Sequence, residues 1–377
     1  MSEYNIEKNL IIEINKNFFL SILSSLSKIA TTNKIINKFS LINISLDEKI
    51  TFSASNDVAN INIIVDKNNK NIAKYQEGEV SVSCKELTEI IYNIPDEKIL
   101  ISLFDGAILE IKGKKSIYRL NVAENNKSQK ITVNNENVFK INNNQLTNLI
   151  NQISYVSLLK DDITKISCIN IQGNDNLITA TNISKYRMSK KQIKTDDKIK
   201  KFSVSVSVKA INDIVKIFEN KNEEINISIS NEKIFFYTKD IIISLVLSNN
   251  NFPDIQKMLD KKFNYSLSIK NKKILSELEG ICIINNKDVR MEISENKIIF
   301  SMCDNTNCFG YREIDSDFTF SGKNFKIEFN GYYVSEVLKI LKNSEDVVFQ
   351  FDDKNKPFLI KNIEGDSLHL IAPIATY

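Results

Sequence analysis

The chain has 377 residues and a mass of 43.2 kDa; it is 42% hydrophobic and 26% charged, with a formal net charge of +3. This is enough apolar material for roughly two to four domains with full cores, and it excludes an intrinsically disordered chain. Nine Gly and four Pro exclude a collagen-like one. The single histidine, His369, closes off mechanisms that need paired histidines, and five cysteines without a C-x-x-C suit a reducing compartment.

Along the chain, the first apolar stretch, Phe18 to Leu23, is preceded by Glu13, Asn15, Lys16 and Asn17 and broken by serine, unlike an export signal. No uninterrupted apolar run reaches about 18 residues, so a cytoplasmic protein without a membrane span is expected. Phe19, Ile22, Leu23 and Leu26 recur at helical spacing and predict a first amphipathic helix. Ile50 to Ser55 reads as a strand. Val80 to Ser83 alternates and runs directly into a helix striped by Leu87, Ile90, Ile91 and Ile94. The pattern then returns. Leu146, Leu149, Ile150 and Ile153 mark a third helix; Val204 to Ser207 leads into a fourth, striped by Ile211, Ile214, Val215 and Phe218; Ile225 to Ile229 is a strand. Leu275, Leu278 and Cys282 mark a fifth helix, Ile298 to Met302 a strand, and Val334, Val337, Leu338 and Leu341 a sixth helix.

The three strand-to-helix junctions begin at Val80, Val204 and Ile327, spaced by 124 and then 123 residues. That period exceeds the roughly 20–50 residues of a solenoid unit and is the size of a domain. The fold class read from this is α+β: three tandem repeats, each with two amphipathic helices on one side of an antiparallel sheet. Boundaries fall in the polar stretch Glu124 to Glu136 and near Leu259 to Lys262, giving domains of 1–135, 136–260 and 261–377.

No catalytic constellation is present. Both phosphate-cradling glycine motifs are absent. His369 lies in the alternating run Leu368 to Ile371 and reads as a strand histidine facing solvent. Cys303 and Cys308 lack a second ligand pair for a tetrahedral metal site. The acidic pairs Asp161–Asp162, Asp196–Asp197 and Asp352–Asp353 read as solvated loop carboxylates. The expectation is a non-enzyme with no cofactor and no metal.

The polar faces of the helices carry more information. Lys16, Lys28, Lys34, Lys85, Lys209, Lys216, Lys270, Lys272, Lys273, Lys339 and Lys342 lie on or beside them. Lysines without interleaved aromatics suit contact with phosphates rather than reading of bases. The alternative is that they merely solvate the helices of a protein-interaction scaffold without nucleic-acid binding. Lys85 repeats as Lys209 at the same junction, which favours the first reading.

Three segments in order resemble the bacterial sliding clamp family, the β subunit of DNA polymerase III. Thr179-Ala180-Thr181-Asn182, followed by Tyr186-Arg187-Met188, is similar to that family's A-T-D-G-H-R-L segment. Asn249 to Asp254 resembles its D-G-x-F-P-D turn, and Leu370-Ile371-Ala372-Pro373-Ile374 its V-V-M-P-M ending. Departures are Asn182 in place of Asp, the extra residues Ile183 to Lys185, Ala372 in place of Met, and a pI near 8.3 in a usually acidic family. The resemblance implies a DNA clamp fold in which two chains form a six-domain ring around duplex DNA, without sequence reading. It implies as partners the DNA polymerase III α subunit, the clamp loader, repair polymerases and other proteins bearing a clamp-binding motif. These would enter a peptide pocket of Thr181, Arg187, Met188, Pro253, Met258, Leu370, Ala372, Pro373 and Ile374. It also implies a head-to-tail homodimer joined through Tyr118 and Leu120 on one side and Cys282 and Ile283 on the other.

Overall fold

A computed structural model describes residues 10–30, 38–104, 106–123, 131–133, 137–157, 168–219, 223–249, 252–255, 259, 262–283, 288–303 and 309–375. Lys34, Met258, Asp161–Asp162 and Cys308 lie outside them, as do most of the first predicted boundary and half of the second. The described residues contain six α-helices of ten to twelve residues: α1 (Lys16–Leu26), α2 (Cys84–Asn93), α3 (Asn143–Ser154), α4 (Val208–Phe218), α5 (Asn271–Ile281) and α6 (Gly331–Ile340). The chain divides into two compact units, one of Met1–Leu146 with Lys209–Leu247, the other of Thr147–Val208 with Ser248–Tyr377.

The first unit holds two antiparallel sheets. A five-stranded sheet runs in the order Ile72–Gln76, Ile11–Asn15, Lys98–Phe104, Ile108–Lys112 and Ile117–Asn121. An eight-stranded sheet draws four strands from the middle repeat and four from the first, joined where Ile241–Val246 pairs with Ala59–Val65 (Ile243 opposite Ile61). Phe19, Ile22, Leu23 and Leu26 of α1 and Leu87 and Ile91 of α2 are buried, as the helical spacing predicts. Asn15 caps α1 by accepting from the Phe18 amide at 3.0 Å, and Ser83 caps α2 by accepting from Glu86 at 3.3 Å.

The second unit repeats the plan. A seven-stranded sheet combines the long hairpin Cys168–Ile183 and Arg187–Ser207 with strands of the last repeat, joined where Arg187–Lys191 pairs with Ser367–Ile371. A four-stranded sheet runs Phe309–Ile314, Ile298–Cys303, Val289–Ile293, Phe325–Phe329. The long hairpin shifts register between Gly173 and Leu177, where Asp175 takes a positive φ of 53°. A Cβ at Gly173 would stand 2.2 Å from the ring of Phe202, its partner across the hairpin, so any side chain there would force that ring to move. Helix α5 corrects one expectation. Its fully buried stripe is Ile274, Leu278 and Ile281, while Leu275 and Cys282 pack half-buried beside it. The predicted stripe was one position off because both sets keep near-helical spacing around Leu278.

Triplication extends to single hydrogen bonds. The first residue of α1, α3 and α5 donates its amide to a glutamate carbonyl just before a strand: Lys16 to Glu97, Asn143 to Glu223 and Asn271 to Glu345. These are the same turn made three times.

Candidate functional site

In the second unit, antiparallel pairing sets Met188 opposite Leu370 and Arg187 opposite Ile371. Successive strand residues face opposite sides of a sheet, so the two members of the Arg187-Met188 motif part company. Met188, Leu370 and Leu359 form a buried apolar cluster, against which Ile183, Ile255, Leu259, Phe263 and Leu368 pack partly buried. Ala372 is tied to the rim by its amide, which donates to the Tyr186 carbonyl at 2.9 Å; the Ile374 amide donates to Glu328 at 2.8 Å. Ala372, Pro373 and Ile374 are half-buried, and Pro253 is exposed. A cavity of about 300 Å³ opens nearby, lined by Thr181, Thr179, Lys190, Asn170 and the Phe252–Ile255 segment, so Thr181 and Pro253 line the same cavity. The sequence pattern missed Ile183, Ile255, Leu259, Phe263, Leu359 and Leu368. Two signals were available: the alternation of Leu368 with Leu370, and the i, i+4 spacing of Ile255 and Leu259.

Arg187 lies behind this surface with its side chain fully buried. Its guanidinium donates to Glu336 on α6 at 2.6 Å and to the Val156 carbonyl at 3.0 Å, and it lies 4.3 Å from the Tyr333 ring centroid and 5.4 Å from that of Tyr155. Its contacts are those of a bolt between the strand and α6, at some remove from the apolar cluster.

His369 corrects the expectation of a solvent-facing histidine, for it is fully buried. Its Nδ1 lies 2.9 Å from both Tyr155 Oη and Ser189 Oγ, and its Nε2 lies 3.0 Å from Ser367 Oγ. Ser367 Oγ donates onward to Gln152 Oε1 and Ser189 Oγ to the Gln152 carbonyl, so the network closes with Nε2 protonated and Nδ1 accepting from tyrosine. Burial, helped by the charge of Lys191, lowers the imidazole pKa to about 3, and burial pushes the Tyr155 hydroxyl up. This histidine is neutral and structural.

The lysines fall into two groups. Lys16 donates to the Tyr92 and Ile94 carbonyls and so caps the end of α2. Lys270 pairs with Glu345 and Asp346, Lys273 with Asp317, and Lys339 with Glu279 at 2.8 Å. Lys85 reaches Glu89 at 3.9 Å, whereas Lys209, Lys216, Lys272 and Lys342 are exposed and Lys28 is half-exposed. At the proposed joining surfaces, Tyr118 and Leu120 lie on the Ile117–Asn121 edge strand, where Ile117 is 60% exposed. Ile283 is 81% exposed just past α5. Neighbouring Cys282 is half-buried, its thiol pushed up to about 11 by burial and by Glu279. Among the described residues no three His, Cys, Asp or Glu side chains converge as a metal site would require.

Two family models match the chain: "DNA polymerase III beta subunit, central domain" over residues 140–254 and "DNA polymerase III beta subunit, C-terminal domain" over 256–375. The chain belongs to the DNA polymerase III β-subunit family, the bacterial sliding clamps. It is 22% identical to the "Beta sliding clamp" of Halalkalibacterium halodurans, covering 97% of this chain and 99% of that one, and 27% identical to that of Rickettsia felis, covering 79% and 83%. The crystal structure of the Bacillus subtilis sliding clamp superimposes with a TM-score of 0.91 at 19% identity, over 98% of this chain and all of that one. The Thermotoga maritima β subunit superimposes at 0.87 with 16% identity, covering 98% and 100%. A sliding clamp is a non-catalytic processivity factor, and its partners are DNA and DNA polymerase III. No helix among the described residues is long and apolar enough to cross a membrane.

Proposed function

We propose that two copies of this clamp close head to tail into a ring of six repeats, bounded at about 1–135, 136–260 and 261–377 of each chain, through which duplex DNA slides. One observation carries the reading. Within the chain the same junction is made twice: the third strand after a repeat's second helix pairs with an equivalent strand of the preceding repeat. Ile241–Val246 meets Ala59–Val65, and Ser367–Ile371 meets the start of Arg187–Ser207. Applied a third time, the rule pairs Ile117–Asn121 of one copy with Phe309–Ile314 of another. Each is the end strand of its sheet, and Phe309, at 65% exposure, and Ile117 offer apolar side chains there. An exposed apolar edge strand invites such pairing. Tyr118 and Leu120 then belong to one side of the joint, with Cys282 and Ile283 on the other.

The Met188–Leu370 cluster is the apolar floor on which peptides of the polymerase α subunit, the clamp loader and repair polymerases dock. Thr181, Pro253, Met258, Ala372, Pro373 and Ile374 surround it. Arg187 serves it from behind as a positioning residue. Lysines on the helix faces make weak, sequence-independent phosphate contacts in the cytoplasm. Lys16 contributes to the end of α2 more than to DNA. Solution mass tests the ring: a species near twice 43.2 kDa is expected. Loaded protein should stay on nicked circular DNA and escape when the circle is cut. A strict monomer, or equal retention on both DNA forms, overturns the reading.

A further inference from the structure

The lysine-bearing faces contain carboxylates of their own. On α4, Lys209, Asp213 and Lys216 are spaced i, i+4 and i+7 and therefore share a face. Both lysines are exposed, Asp213 is half-buried, and Lys28, which follows α1 in the same compact unit, also acts on it electrostatically. Burial raises the Asp213 carboxyl, while the charges of Lys216, Lys209 and Lys28 pull it back toward the ionised form. One anion thus shares the α4 face with two lysines and feels the charge of a third. The other repeats show the same feature: on α2, Lys85 lies 3.9 Å from Glu89, and in the second unit Lys339 of α6 pairs with Glu279 of α5 at 2.8 Å. These pairs are exposed, and exposed pairs add little to folding stability.

We propose that Asp213, with Glu89 and Glu279, is a built-in counter-charge that competes with DNA phosphates for the helix lysines and keeps the grip weak enough for sliding. The inference rests on the reading that these faces meet DNA. A lysine already sharing its charge with a carboxylate neutralises phosphate incompletely, so fewer counterions leave the duplex on contact. Each phosphate fully neutralised steepens the plot of log affinity against log salt by about 0.9. A carboxylate in the lysine group therefore lowers both the affinity and the slope.

The test uses the full-length protein and a labelled duplex titrated at several salt concentrations, with Asp213→Asn as an isosteric change and Lys209→Ala and Lys216→Ala beside it. Asp213→Asn should tighten binding about two- to fivefold at low salt and steepen the slope by about 1. The same variant loaded on long DNA should diffuse more slowly. Adding Glu89→Gln and Glu279→Gln should extend both changes. If the lysine variants weaken binding but Asp213→Asn alters neither affinity nor slope, the counter-charge is refuted while the DNA-facing assignment survives. If the lysine variants change nothing, the assignment itself fails and takes the inference with it.

Discussion

Replacing Glu336 by Ala strands the Arg187 guanidinium in the protein interior. In the folded chain that guanidinium is fully buried and keeps Glu336 as its only ionic partner at 2.6 Å among the described residues, the remainder of its shell being two carbonyls and two aromatic rings. Removing one member of a buried ion pair costs about 3–5 kcal/mol, because the survivor is left charged and uncompensated. Glu336 retains some exposure, so water can follow the truncation inward, and the expected loss is nearer 2–3 kcal/mol. For a unit of this size that lowers the melting temperature by roughly 5–10 °C, read by calorimetry. The double variant Arg187→Met with Glu336→Ala should recover much of the loss, since an apolar side chain needs no counter-charge. A single variant within about 0.5 kcal/mol of the parent, or a double variant no better than the single, would show that the pair is not what holds the strand to α6.

Three further outcomes are expected. His369 has a folded pKa of about 3 against the unfolded histidine value near 6.5, so between those values the unfolded chain binds the extra proton and stability falls as the pH is lowered. Above about pH 6.5 this contribution is constant; below it the slope is about 1.4 kcal/mol per pH unit, and His369→Gln should lose that part of the slope in urea titrations between pH 6.5 and 4.5. Asn330 caps α6 by accepting from the Tyr332 and Tyr333 amides at 3.0 and 3.4 Å, so Asn330→Ala should cost about 1 kcal/mol in chemical denaturation. Met188→Asp puts a charge on the floor of the apolar cluster and should weaken polymerase-derived peptides at least about tenfold by fluorescence polarisation while the solution mass stays unchanged; peptide affinity equal to the parent's removes Met188 from the site.

Much of the fold is legible in the sequence because it depends on periodicity. Ile50–Ser55 is a strand with the bounds its alternation suggests, and the stripes of α1, α3, α4 and α6 are buried as spaced. Helix α5 was read one position off because Ile274, Leu275, Leu278, Ile281 and Cys282 supply two overlapping stripes, and only packing chooses between them. His369 was misread for a related reason. In a strand paired on both sides, both faces can be covered, and Leu368-His369-Leu370 looks half-exposed until Tyr155, Ser189 and Ser367 close over the ring. At the pocket, a motif read as one unit is split by strand geometry. Arg187 and Met188 are adjacent in sequence and so opposed across the sheet, a consequence that the strand assignment alone would have revealed.

One register position shows why three repeats can share a backbone while their sequences drift apart. Ser81, Ser205 and Glu328 occupy the same place before the second helix, at the 124- and 123-residue offsets, and pair across the sheet with Asn43, Asn170 and Arg290. In the first two repeats an asparagine Nδ2 donates to the serine hydroxyl, at 3.1 and 3.2 Å; in the third an arginine meets a glutamate at 2.7 Å. The ladder fixes only which two side chains face each other, and an amide–hydroxyl hydrogen bond and an ion pair each bridge the strands at that slot. A fold held by such pairings can persist while identity falls to about a fifth, and the Bacillus subtilis clamp superimposes on this chain with a TM-score of 0.91 at 19% identity.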